Sequence, residues 1–85
     1  MGSKEERLIV MAILGLNLRM TRLARRLTQE HVARRCGISV EFYDRCERGL
    51  AMPSTLTLAH LAIALQVSAD QLLGVEKQAT KPPPR

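Results

Sequence analysis

Apolar positions along the chain recur at intervals of three and four, the spacing that lines one face of an α-helix. The sharpest stretch is Thr28 to Gly49, TQEHVARRCGISVEFYDRCERG, which predicts two short helices joined by a tight turn. Thr28 is a good N-cap, because its hydroxyl accepts a bond from an otherwise unpaired backbone N–H. Val32, Ala33 and Cys36 then share one face, with Arg34 and Arg35 on the other. Gly37 stops the helix, since glycine takes the left-handed conformation that reverses the chain. Ser39 caps a second helix from Val40 to about Arg48, with Tyr43 and Cys46 spaced to pack inward and Val40, Glu41, Phe42 and Arg45 turned mainly outward.

Upstream, a helix is predicted from about Glu5 to Arg26, with two apolar rows on opposite sides. Met11, Leu14, Leu18 and Thr21 form one. Ile9, Ile13, Leu16, Met20 and Leu23 form the other, at 4-3-4-3 spacing, which is that of a coiled-coil seam. A helix apolar on both sides must be covered on both sides. This second row is expected to be a subunit interface, unless the C-terminal segment folds back over it. Downstream, Pro53 with Ser54 or Thr55 starts a helix to about Leu65, with Leu58, Leu61, Ala62 and Leu65 inward and Leu56 and Ile63 left as an outer apolar pair. Ser68 to Gln71 fits a capping box for a last short helix carrying Leu72 and Leu73, closed by Gly74. The expected organisation is a polar N-terminal tail over 1–7, one domain over 8–74, and a disordered or polyproline tail over 75–85 that ends KPPPR.

Composition narrows the class. With 85 residues, 46% hydrophobic, one Tyr, one Phe and no Trp, the core is aliphatic and the fold all-α. A domain of this size gains from oligomerisation. The apolar run Leu8–Leu16 is about half the ~20 residues of a membrane span, and Glu5 and Glu6 offset the basic start of a signal peptide, so a cytoplasmic protein is expected. The net charge of +5 favours anionic partners, and between Arg19 and Arg48 eight arginines face four acidic residues. Cys36 and Cys46 lack the spacing of a metal site and read as small core residues, and His60 stands alone. No nucleophile with a base, no phosphate loop and no carboxylate cluster is present, so neither catalysis nor a cofactor is expected.

The segment from Leu14 to Leu73 resembles the XRE-type helix-turn-helix family of phage repressor and Cro-like regulators. The resemblance is carried by LTQ ahead of the A-x-x-x-G-I-S turn, ERG at the end of the second helix, and L-A-x-A-L-x-V-S-x-D-x-L-L near the C-terminus. It implies a five-helix lambda-repressor-like DNA-binding domain, here with a lengthened first helix, and makes the Met11 row core-facing. It implies double-stranded DNA as partner, with the second helix of the motif in the major groove and the first across the backbone. Thr28, Gln29, Ser39, Val40, Glu41, Phe42, Arg45 and Arg48 are then the expected DNA-binding residues, and Arg22 with Glu47 the ion pair that locks the first helix to the recognition helix. A homodimer reading a pseudo-palindromic operator follows. The acidic Glu41 and Asp44, the large Phe42 and the uncharged Leu50-Ala51-Met52 loop support an alternative, a protein-interaction module or antitoxin-like component on the same scaffold.

Overall fold

In the computed structural model residues 3–75 are described, and among them there are five helices and no strand: α1 (Lys4–Ala24), α2 (Gln29–Cys36), α3 (Val40–Glu47), α4 (Thr55–Leu65) and α5 (Ala69–Leu73). Each begins on a serine or threonine, Ser3, Thr28, Ser39, Ser54 and Ser68, whose side chain accepts from a backbone N–H of the first turn. α2 and α5 end on the left-handed glycines Gly37 and Gly74.

The first helix starts earlier than its apolar run suggests. Ser3 and Glu6 form a reciprocal capping box, Glu6 N donating to Ser3 Oγ and Ser3 N to Glu6 Oε1, both at 3.1 Å. The helix therefore begins at Lys4, one residue ahead of the expected start at about Glu5 and within the stretch read as a polar tail. The helix also stops two residues before Arg26, because Arg26 turns left-handed (φ 59°) and Leu27 N–H bonds back to Arg22 O. The tail expectation for residues 76–85 lies outside the described residues.

α1 packs on α3 and α5, α2 on α3 and α4, and α4 on α5, around a core of Leu14, Leu18, Val32, Tyr43, Cys46, Leu61, Leu65 and Leu72. Each aliphatic side chain so buried stabilises the fold by about 1.5–3 kcal/mol. Two polar clamps, one from α1 and one from the residue that caps its end, reach helix ends that lack partners of their own. Arg25 Nε donates to Leu65 O (2.5 Å) and its Nη2 to Gln66 O (3.2 Å), closing α4; Asn17 Nδ2 donates to Leu72 O (3.0 Å), closing α5. Against α3 the contact is backbone to backbone: a Cβ on Gly15 would lie 2.6 Å from the carbonyl oxygens of both Cys46 and Glu47.

Met11 and Thr21 of the inner row are half-buried and Leu14 and Leu18 fully so. Among the described residues, none covers the opposite row fully. α5 reaches its edge, Gly74 lying against Ile13, but Ile9, Leu16, Met20 and Leu23 all remain more than half exposed.

Candidate nucleic-acid interface

The site is built on α3, whose inner side is fully committed. Tyr43, Cys46 and Glu47 are buried, and Glu47 meets Arg22 through a two-point ion pair, Nε to Oε2 at 2.6 Å and Nη2 to Oε1 at 3.2 Å. Arg22 Nη1 donates onward to Leu27 O at 2.9 Å, so one guanidinium ties α1, the α1–α2 turn and α3 together. Burial pushes the Glu47 carboxyl pKa up, but hydrogen bonding, above all from Arg22 and also from Gln29, outweighs it and holds the group below the usual carboxylate range. Arg22 is correspondingly raised by its bond to Glu47, against the opposing effect of burial. The Tyr43 phenol is pushed up, first by burial and then by Glu47. Its hydroxyl lies beside the pair without a bond of good geometry. Burial also raises both thiols, Cys46 to about 11, so the two cysteines stay protonated core groups. Among the described residues no three His, Cys, Asp or Glu side chains are grouped to hold a metal.

The outer side presents Glu41, Arg45 and Arg48, all exposed. Arg45 Nη2 leans toward Leu50 O at 3.4 Å, and Arg48 pairs with Asp44 one turn back, Nε to Oδ2 at 3.1 Å. Thr28 and Ser39 are exposed and spend an oxygen lone pair on capping, Thr28 Oγ1 accepting from His31 N and Ser39 Oγ from Phe42 N, each at 3.0 Å. The α2 N-terminus joins this surface through Gln29, whose Nε2 donates to Asp44 Oδ1 and Glu47 Oε1, both at 3.0 Å. Thr28, Gln29, Asp44 and Arg48 thus form one continuous polar surface with Glu41 and Arg45 beside it.

Three expectations change. Val40 and Phe42 are half-buried and packed against the core, because they flank the Tyr43–Cys46–Glu47 face rather than oppose it. The Gln29 amide donors, expected to reach a phosphate or base, are both turned inward by the carboxylates they meet, and carboxylates, which only accept, fix the amide in that orientation. Of the eight arginines in the local excess, Arg22 pairs with Glu47 as expected, and Arg25 is also given a structural duty, on the end of α4. Sequence reasoning missed Arg25, Asn17 and Gly15: their partners lie 25 or more residues away, and no local pattern marks them.

A family model described as helix-turn-helix domain matches residues 13–74. The chain is 38% identical over 65 residues to an uncharacterized HTH-type transcriptional regulator, YazB, of Bacillus subtilis (strain 168), covering 76% of this chain and 94% of that protein. Among solved structures it is similar to the restriction-modification controller protein C.AhdI from Aeromonas hydrophila, at TM-score 0.70 and 31% identity over 73% of this chain and 94% of that one. It is likewise similar to the clp gene regulator ClgR from C. glutamicum, at TM-score 0.71 and 26% identity over 86% of this chain and 96% of that one.

Proposed function

The chain belongs to the helix-turn-helix family of XRE-like transcriptional regulators, and from that premise we propose that it is a cytoplasmic, sequence-specific DNA-binding protein that works as a homodimer on a pseudo-palindromic operator. The observation that carries this reading is the division of α3. Its inner side is fixed by the Arg22–Glu47 pair, while Glu41, Arg45 and Arg48 on the outer side are uncovered by any described part of the chain. A rigid rod with a free polar side is what entry into a major groove requires.

In this docking the N-terminus of α2 faces the phosphate backbone, where its unpaired N–H groups and helix dipole favour an anion. Thr28 and Ser39 have hydroxyl protons left to donate to phosphate. Arg45 reaches guanine or a phosphate, Glu41 accepts from cytosine, Val40 and Phe42 supply apolar contact at the rim, and Arg48 adds charge. Each good base contact discriminates by about 1–3 kcal/mol. Gln29 acts chiefly by holding Asp44 in place. Half-sites are then about one helical turn apart, ~34–36 Å.

The test is retention of genomic fragments by the full chain, followed by binding to the retained sequence across a salt series. Affinity is expected to fall steeply with salt, and Arg45→Ala to weaken the specific complex without altering the melting temperature. Retention of no fragment, or an Arg45→Ala protein that binds as the parent does, removes the reading. The rival is a partner-binding module, favoured by the exposed Leu50 and Met52 of the loop after α3 and by the acidic Glu41 on the helix itself. A stoichiometric protein partner lost on Leu50→Glu, with no DNA retained, would establish it.

A further inference from the structure

We propose that the outer face of α1 is a self-association surface, on which a second copy of this chain seats its own α1 about a two-fold axis. This deepens the homodimer reading above by assigning it a surface. Ile9, Ile13, Leu16, Met20 and Leu23 lie in one row along the longest helix, on the side away from the core, with Leu16 58% and Met20 59% exposed. Half-exposed side chains of this size leave on the order of 500 Å² of contiguous apolar surface, the upper end of what a monomer shows in one patch.

Several observations select the occupant. The 4-3-4-3 spacing is that of a helix seam, so the matching surface is another helix with the same period. In that register Ile13 and Met20 take the first apolar position of the heptad and Ile9, Leu16 and Leu23 the second, an unbroken apolar seam with no polar residue in it. The row is flanked by Ala12 and Ala24, small enough for close approach, and Arg19 is its one charged neighbour along the middle turns. A two-fold axis places the row against itself and buries about 1,000 Å² in total, the threshold for a specific interface. The remaining segment of the chain is a poor cover, since EKQATKPPPR carries no large aliphatic side chain. The family match begins at residue 13, so Ile9 and the first two turns of α1 lie ahead of it and extend the row beyond the shared domain.

The test is sedimentation equilibrium of the full chain from low to high micromolar concentration. The parent is expected to be a dimer. Leu16→Glu and Met20→Glu, each placing a charge on both sides of the seam, should weaken association by on the order of a hundred-fold or more with helical content unchanged. Ile63→Glu, at an equally exposed apolar position on α4, should leave it intact. A parent that stays monomeric, or one that pairs only with a different protein, overturns the proposal. So does a dimer that survives both α1 substitutions or is broken equally by Ile63→Glu. The two proposals fail separately: a dimer of this kind that retains no DNA removes the regulator reading alone, and a DNA-retaining dimer that survives both α1 substitutions removes the α1 surface alone.

Discussion

On the inner side of α3, Glu47 and Arg22 meet with side chains 2% and 12% exposed; on the outer side, Asp44 and Arg48 meet with side chains 39% and 60% exposed. The chemistry is the same and the surroundings differ. Inside, each charge has lost its water and depends on the other, so the pair fixes the angle between α1 and α3 and is costly to break. Outside, solvent screens the pair and little stability rests on it. One eight-residue helix can therefore be rigid on one side and available on the other.

The contrast is broken most directly at Glu47. Glu47→Ala leaves Arg22 buried without its partner and is expected to destabilise the fold by about 3–5 kcal/mol, read as a loss of urea midpoint. Next is Gly15→Ala. In an open helix this change stabilises by about 1 kcal/mol, but here the new Cβ meets two carbonyl oxygens at 2.6 Å. A net destabilisation of about 1–3 kcal/mol is expected from forced repacking; a gain in melting temperature would show that α1 and α3 are less tightly apposed.

Acid sharpens the same distinction. The folded-state pKa of Glu47 is depressed, so the stabilisation its carboxylate contributes is complete above the ordinary value of 4.5 and is lost as pH falls through the folded value. Urea melts at pH 6 and in acid should show a smaller acid penalty for Glu47→Gln than for the parent; equal penalties would place the sensitivity elsewhere. The smallest effect is expected at the outer pair, where Arg48→Ala should change stability by less than about 0.5 kcal/mol. A loss comparable to that of Glu47→Ala would erase the distinction between the two sides.

The inner side was largely legible in the sequence. Tyr43, Cys46 and the Arg22–Glu47 pair follow from helical spacing and from the resemblance, and Thr28, Ser39, Gly37 and Gly74 announce their helix ends by residue type. Ser3 and Glu6 carried the same capping signal, obscured by the polar residues around them. The outer side was less legible, because a spacing rule sorts residues into two faces and has no place for flanks: Val40 and Phe42 sit on the flanks. Gln29 read as a free donor because nothing local shows that Asp44 and Glu47 converge on it from α3. Arg25 read as one more surface cation because its carbonyl partners are 40 residues away or more.

The notch at Gly15 has a mechanical consequence. With main chain resting on main chain there, no side chain of α1 stands between the two helices at the junction. Any change that widens this notch is therefore expected to move the end of α3 away from α1.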